Sequence, residues 1–192
     1  MLQLAIFGPL VIAAALAGAT PANGVVWSAD AAHSNVTLSV SQLFISRLTG
    51  TLPIVSATVV TAADSDLPLE VGVVLDSADM TTHDAGRDAA LHGDRFFDAA
   101  RYPTIRFTSD QIDGTNADAF TIHGQLTMRD QTHPIVFATH RVQLGLNGDG
   151  KRRIRYEATG GFRRSDYGMT AERGIIGDEV ALQVVIEAVD QR

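Results

Sequence analysis

The sequence predicts an all-β protein that folds as an eight-stranded antiparallel barrel. From His33 onward, apolar and polar residues alternate with a period of two in eight short segments, which turn residues separate. Each segment has one apolar face, so the strands must bury these faces together. A closed barrel and a two-sheet sandwich both achieve this, but closure also removes the exposed strand edges, which favours the barrel. The sandwich stays open as the alternative.

The eight segments follow one another between clear turn signals. The first three are marked by these residues: Val36, Leu38 and Val40; the range 54 to 62; and Leu69, Val71, Val73 and Leu75. The other five are marked by these: Ile105 and Phe107; Phe120, Ile122, Leu126 and Met128; Ile135 to Leu144; Ile154, Tyr156, Ala158 and Phe162; and Val180, Leu182, Val184, Ile186 and Ala188. The sixth alternation slips near Ala138, as at a β-bulge, and Gly160 with Gly161 indicates a bend or bulge. A ninth, short strand is predicted over Val25 to Ser28.

The connections predict where the barrel opens. In an up-and-down order, the connections after strands 1, 3, 5 and 7 share one rim, and they are the longer set. In the longest, between strands 3 and 4, Asp84 is a suitable N-cap, helix formers continue through Leu91, and Gly93 ends a short helix. Either Ala85, Ala89 and Leu91 or Phe96 and Phe97 are expected to lay an apolar side across the barrel mouth. The segment is either a lid over a ligand or the closure of a packed barrel.

Residues 1–22 predict export. They carry no charged side chain and end in small residues, which is typical of a secretory signal peptide cleaved after Ala22. The mature barrel domain then spans residues 23–192. Because the segment lacks the usual Lys or Arg near its start, a retained membrane anchor stays open as the alternative. The chain has no cysteine, which excludes disulfides and thiolate chemistry.

Charge and motif content exclude several function classes. The chain has a formal net charge of -7, whereas nucleic-acid-binding domains concentrate Lys and Arg on one face. Its six histidines show neither H-x-H nor H-E-x-x-H spacing, and no serine lies in a G-x-S-x-G context. We therefore expect no nucleic-acid partner, no enzymatic activity, no metal site and no cofactor.

Four stretches resemble, in order and spacing, the YceI-like family. They are DAAHSNVTLSV (30–40), RDAALHGDRFFDAARYPTIRFTS (87–109), GQLTMRDQTHPI (124–135), and RSDYGM with IGDEVAL (within 164–182). The resemblance covers nearly all of the mature chain. It implies a periplasmic bacterial protein with a lipocalin-like barrel that binds polyisoprenoids, isoprenoid quinones or other long-chain amphiphiles. Gln42 departs from the family, which often has a second histidine there, so no role of that imidazole is carried over.

Together with the resemblance, the inward-facing residues become predicted ligand contacts in the barrel lumen. They are Val36, Leu38, Val40, Val71, Val73, Ile105, Phe107, Phe120, Ile122, Tyr156, Phe162, Leu182, Val184 and Ile186. The predicted headgroup contacts at the rim are Arg87, Asp88, Arg164, Asp166 and Tyr167.

Three alternatives stay open at this stage. In the first, the charged rim residues form an ion-pair network that fixes the loops, instead of or in addition to binding a headgroup. In the second, the lumen is filled by side chains, in a structural or stress-related periplasmic protein that holds no ligand. The third concerns the oligomeric state, which is either a monomer or a homodimer of two barrels.

Overall fold

The computed structural model describes residues 24–43 and 45–192. The predicted signal peptide, residues 1–22, lies outside these ranges. Within them, no helix is both long enough and apolar enough to span a bilayer. The elements are β1 (Gly24–Ala29), β2 (Asn35–Gln42), β3 (Ser46–Leu52), β4 (Ile54–Ala62), β5 (Pro68–Asp76), α1 (Ala85–His92), β6 (Thr104–Asp113), β7 (Phe120–Met128), β8 (Gln131–Leu146), β9 (Arg152–Arg163), a 3-10 helix (Arg164–Tyr167) and β10 (Ile176–Asp190).

These strands occupy eight positions around a closed antiparallel barrel. β1 and β2 lie end to end along β10, where Trp27 pairs with Asp190 and Leu38 pairs with Leu182. β3 and β4 also lie end to end, because β3 pairs with β2 and β4 pairs with β1. β4 to β10 are neighbours in chain order, and β1 closes the ring between β10 and β4. The predicted eight-stranded barrel is confirmed, and the sandwich alternative is wrong.

The long connection between β5 and β6 lies across one end of the barrel. It contains α1, as predicted: the Asp84 side chain accepts a hydrogen bond from the Arg87 backbone N–H at 2.8 Å. Thr51 of β3 and Thr81 exchange backbone hydrogen bonds, which fix the connection to the barrel wall. The connections after β2, β5, β7 and β9 all reach this end, which is called the upper rim below.

The first connection differs from the prediction. Residues 46–52, expected in a long loop, form β3, so the turn after β2 is short. Gly50 interrupts the apolar alternation of this strand, and the pattern is therefore hard to recognise in the sequence. The glycine is needed for packing, since a Cβ there would lie 3.1 Å from Met80 Cε and 3.3 Å from Leu38 Cδ1.

Two strand details also differ from the prediction. Leu69, expected to face inward, has 54% of its surface exposed, because the β4–β5 register shifts between Val60 and Thr61. The irregularity of β8 against β9 lies between Arg141 and Gln143 and not at Ala138. Both bulges move a residue to the opposite face of the sheet, as an extra residue in one strand must.

Gly160 and Gly161 do not form a bend. Both pair without interruption with β10. A Cβ on Gly160 would lie 2.7 Å from the Phe137 ring, so the glycine makes room for that ring inside the barrel. Gly124 does the same on β7, where a Cβ would lie 2.6 Å from the Phe107 ring. Glycines of the neighbouring strands therefore make room for two of the aromatic rings in the interior, those of Phe107 and Phe137.

Candidate functional site

An apolar cavity of about 90 Å³, called the inner cavity, lies inside the barrel. Every second side chain of the surrounding strands faces it. Its lining consists of Val36, Leu38, Leu52, Val59, Pro68, Val71, Val73, Leu75, Phe97, Ile105, Phe107, Phe120, Ile122, Leu126, Met128, Phe137, Thr139, Tyr156, Ala158, Phe162, Leu182, Val184 and Ile186. At roughly 10 to 15 Å³ for each water-sized group, the volume holds several such groups. A slender chain suits this space better than a broad ring system.

A second cavity, of about 360 Å³, lies at the upper rim and is called the upper cavity. It is enclosed by α1 and the residues after it, the upper ends of β2 and β3, and the segment between β9 and β10. Leu38, Phe97 and Phe162 line both cavities and so separate them. The charged and amide side chains of the upper cavity are Gln42, Arg87, Arg95, Arg164 and Glu172. An apolar space therefore adjoins a larger, mostly apolar space whose wall also contains charged and amide side chains.

Nearly all of the predicted lumen residues line the inner cavity. They are Val36, Leu38, Val71, Val73, Ile105, Phe107, Phe120, Ile122, Tyr156, Phe162, Leu182, Val184 and Ile186. Val40 was also predicted there, but it lines the upper cavity, because it lies near the upper end of β2. The role of these residues as ligand contacts stays a prediction.

Further lining residues were not predicted as ligand contacts. They are Leu52, Val59, Pro68, Leu75, Phe97, Leu126, Met128, Phe137, Thr139 and Ala158. Most of them continue the same inward alternation along their strands, so the sequence did contain the signal. Phe97 is different, because it comes from the long connection, where a period of two predicts nothing.

Arg164 is buried, with 4% of its surface exposed, at the start of the 3-10 helix. Its guanidinium donates hydrogen bonds to four backbone carbonyls: Nε to Gly177 (2.8 Å), Nη1 to Met169 (2.8 Å) and Ala171 (2.7 Å), and Nη2 to Ile176 (2.9 Å). Burial lowers its pKa from the ordinary arginine value. The guanidinium thus holds the segment between β9 and β10 in place beside the upper cavity.

Arg87 and Asp88 have different surroundings. Arg87 lines the upper cavity, and its Nε donates a hydrogen bond to Thr82 Oγ1 at 2.8 Å. Asp88 lies outside both cavities, and its carboxylate accepts hydrogen bonds from the Thr81 hydroxyl and from the Thr82 hydroxyl and N–H. These bonds hold the pKa of Asp88 below its ordinary value, and the bond from the Thr82 hydroxyl contributes most. Asp88 therefore fixes the backbone that leads into α1.

Asp166 and Tyr167 also lie outside both cavities. The Asp166 side chain is exposed, and its backbone carbonyl accepts a hydrogen bond from His133 Nε2 at 2.9 Å. The buried Tyr167 ring stands edge-on to Phe162, with ring centroids 5.3 Å apart. Burial raises the pKa of Tyr167 to about 12. Tyr167 supports a cavity-lining residue from behind and does not itself face the cavity.

The expected ion-pair network at the rim is not present. Across residues 24–43 and 45–192, none of Arg87, Asp88, Arg164 and Asp166 forms a salt bridge. The physical reason is that backbone carbonyls and threonine hydroxyls already satisfy Arg164 and Asp88. The rim salt bridges instead join Arg95 to Glu172 (3.0 Å) and Arg163 to Asp178 (3.2 Å).

Satisfied polar groups close the lower end of the barrel. The Tyr156 hydroxyl donates a hydrogen bond to the Asp66 carbonyl at 2.5 Å, and the Asp66 carboxylate pairs with Arg141. Burial raises the pKa of Tyr156 well above its ordinary value. The connection between β4 and β5 is thereby held against β8 and β9.

Three side chains near the turn between β1 and β2 bring metal-ligating atoms together. Those of Asp30, His33 and Glu187 lie within 4.8 Å of one another. His33 Nδ1 is 2.8 Å from Asp30 Oδ2, and Glu187 Oε1 accepts a hydrogen bond from Arg153 Nη1 at 3.0 Å. Partners within the protein thus satisfy each of these groups. His33 lies outside the strands, in the turn between β1 and β2, and bonds to Asp30 of the same turn.

Comparison with known proteins identifies the family. A model of the YceI-like domain matches residues 27–188. The chain belongs to the YceI-like family. The UPF0312 protein YE1254 of Yersinia enterocolitica is 29% identical over 120 residues, which make up 62% of each chain. This YceI-like chain therefore matches less than two thirds of the length of its curated relatives.

Solved structures share the YceI-like barrel. Burkholderia cenocepacia BcnA superposes with a TM-score of 0.72 at 19% identity, covering 83% of this chain and 98% of BcnA. The Campylobacter jejuni YceI protein gives 0.63 at 24% identity, with 77% and 88% covered. A polyisoprenoid binding domain from Saccharophagus degradans gives 0.64 at 16% identity, with 85% and 98% covered. These likenesses confirm the predicted fold.

Proposed function

We infer that this YceI-like domain is a periplasmic carrier that holds a polyisoprenoid or similar long-chain amphiphile in its barrel and catalyses no reaction. The observation that carries the proposal is the pairing of the two cavities. The inner cavity has an almost entirely apolar lining, and at Leu38, Phe97 and Phe162 it meets the upper cavity, whose mostly apolar wall also contains charged and amide side chains. A long chain with one polar end has this same division.

Burial of the chain supplies the driving force. Each methylene-sized group transferred from water into the inner cavity contributes roughly 0.8 kcal/mol, before the loss of chain freedom is subtracted. The narrow inner cavity admits a single slender chain, so length should affect affinity more than the identity of the headgroup. Chains that differ by a few carbons would be discriminated poorly.

The upper cavity is the proposed headgroup site. Arg87 and Arg95 supply guanidinium donors there, and Gln42 adds an amide. Arg95 already pairs with Glu172 at 3.0 Å, and Arg164 is engaged by backbone carbonyls. Arg87 is therefore the rim residue best able to bind a hydroxyl, quinone or phosphate oxygen.

A structural likeness supports this proposal, since one protein with the same fold, from Saccharophagus degradans, is a polyisoprenoid binding domain. Export to the periplasm is proposed from the composition of residues 1–22, which have no charged side chain and end in small residues. In that compartment, an insoluble lipid needs an apolar container to leave a membrane.

A filled barrel without a ligand is the second candidate. The edge-to-face pair of Phe107 and Phe137 favours it, because these rings occupy the barrel interior and leave an inner cavity of only about 90 Å³. Ligand uptake separates the two candidates. The protein is incubated with excess long-chain prenol or isoprenoid quinone, unbound lipid is removed, and the retained lipid is quantified. Stoichiometric retention supports the carrier, and absence of retention supports the filled barrel.

A further inference from the structure

Large apolar side chains are exposed at the upper rim. Leu43 and Ile45, in the turn between β2 and β3, have 52% and 88% of their surfaces exposed, and Ile175 has 44% exposed. The Leu43 N–H donates a hydrogen bond to the Ile175 carbonyl at 2.7 Å, which places the two segments side by side. These three residues are called the rim tip below. They form a cluster, whereas exposed apolar residues that lie singly need no explanation.

The backbone at the rim tip is also unusual. Leu43 has a φ of 50°, in the left-handed region that glycine, asparagine and aspartate occupy far more readily than leucine. Glycine or asparagine would suit this turn better and would expose less apolar surface. A strained conformation together with exposed apolar surface indicates a role outside folding.

The charges around the rim tip differ from those of the whole chain. The chain has a net charge of -7. Three cavities lie near the tip, lined by Leu43, Ile175 and the adjoining strands. Their walls include more arginines than carboxylates. The arginines are Arg47, Arg87, Arg95, Arg163, Arg164 and Arg173, and the carboxylates are Glu172, Asp178 and Glu179. Arg47 and Arg173 form no salt bridge with any residue that the structure describes.

The rim tip lies at the mouth of the upper cavity. Ile175 lines that cavity, and Gln42, the residue before Leu43, does so too. Apolar side chains flanked by the exposed Arg47 and Arg173 match a bilayer surface, where acyl chains lie beneath anionic phosphates. A protein partner would not explain why this surface adjoins the opening of an apolar cavity.

We propose that the rim tip docks this YceI-like domain on anionic lipid bilayers. Leu43, Ile45 and Ile175 enter the interfacial region, and Arg47 and Arg173 contact lipid phosphates. The cavity mouth then faces the membrane. This inference goes beyond the proposed carrier function, because a barrel with no cargo would dock in the same way.

Vesicle flotation tests the proposal. The protein is mixed with phosphatidylcholine vesicles, with or without phosphatidylglycerol, and floated at low and high salt. Wild type should float with the anionic vesicles, and less of it should do so at high salt, since the Debye length falls from about 10 Å at 0.1 M to about 3 Å at 1 M. Ile45→Ser should bind at least about ten-fold more weakly, because it removes one large apolar side chain.

Two further variants make the test specific. Leu43→Asn removes a second apolar side chain and suits the left-handed backbone, so it should weaken flotation without destabilising the fold. Leu146→Ser is the matched control, since Leu146 is 64% exposed but lies at the opposite end of the barrel, and this variant should float like wild type.

Three results would overturn the proposal. One is wild type that fails to float with anionic vesicles at low salt. Another is an equal loss of vesicle flotation in Leu146→Ser and Ile45→Ser. The third is a wild-type dimer in analytical ultracentrifugation that Ile45→Ser converts to a monomer, with no flotation of either, which would make this surface an interface between two copies. None of these outcomes depends on whether the barrel holds cargo.

Discussion

Phe107 and Phe137 meet edge to face inside the barrel, with ring centroids 5.3 Å apart. Each ring lies over an inward-facing glycine of the neighbouring strand, Phe107 over Gly124 and Phe137 over Gly160. The two phenyl rings narrow the inner cavity without closing it, as the remaining volume of about 90 Å³ demonstrates. Packing of the wall and the width of the lumen are therefore set by the same residues.

Gly124→Ala should destabilise the barrel by about 1 to 3 kcal/mol, because the added methyl would lie 2.6 Å from the Phe107 ring in a packed interior. Urea denaturation measures the loss. Gly145→Ala is the matched control, since nothing lies within 4 Å of a Cβ at that strand position. Equal stability of the two variants would contradict the packing account.

Val73→Phe should block the lumen while keeping its apolar character. Val73 lines the inner cavity, and a phenyl group there displaces three or four methylene-sized groups of a ligand, or about 2 to 3 kcal/mol of binding free energy. Prenol retention is the readout. Val74→Phe, on the opposite face of β5, should retain ligand like wild type, and a loss in both variants would count against lumen binding.

Arg164→Ala should lower the free energy of unfolding by about 3 kcal/mol or more, because it leaves four backbone carbonyls without their charged donor. Arg164→Lys should restore little of the lost free energy of unfolding, since an ammonium cannot reproduce the planar, forked donors of the guanidinium. Arg163→Ala, whose side chain is 66% exposed and pairs only with Asp178, should change stability by less than about 1 kcal/mol. Urea denaturation of the three variants decides the matter.

Two tyrosines of the native protein, Tyr156 and Tyr167, should titrate well above the ordinary pKa of 10.0. Burial raises the pKa of Tyr102, Tyr156 and Tyr167, the three tyrosines of the chain, and Tyr167 reaches about 12. A raised pKa means that the fold favours the neutral phenol. This contribution to stability is complete below the unfolded value of 10.0 and is lost as the pH rises through the folded values.

Tyrosinate absorbance measured against pH provides the check. In the folded protein the tyrosinate absorbance of Tyr156 and Tyr167 should appear only well above pH 10, together with unfolding, and in urea all tyrosines should titrate near the ordinary value. A reversible step near pH 10 that accounts for two or three tyrosines of the folded protein would show that these phenols are more accessible than the structure indicates.

The sequence predicted the barrel because burial of one strand face leaves a period of two, as in Val36, Leu38 and Val40. The prediction failed for β3, because Gly50 stands where the alternation requires an apolar residue. The side chains of Met80 and Leu38, from elsewhere in the chain, pack over that position. Such a packing relationship joins distant residues, and no local pattern records it.

The rim was harder to predict than the lumen. Inward strand positions follow from alternation, so most predicted lumen residues do line the inner cavity. An arginine in a loop has the same sequence signature whether it binds a ligand or, as Arg164 does, four backbone carbonyls. Only the path of residues 165–177 distinguishes the two roles.

Mass spectrometry of the lipid that accompanies the protein tests the central claim most directly. The protein is expressed in a bacterium, purified without detergent and extracted with organic solvent. The carrier account predicts a stoichiometric isoprenoid or other long-chain lipid in the extract, and a reduced amount in the extract of Val73→Phe. An extract free of such lipid, from protein that also takes up no added prenol or quinone, would contradict the account.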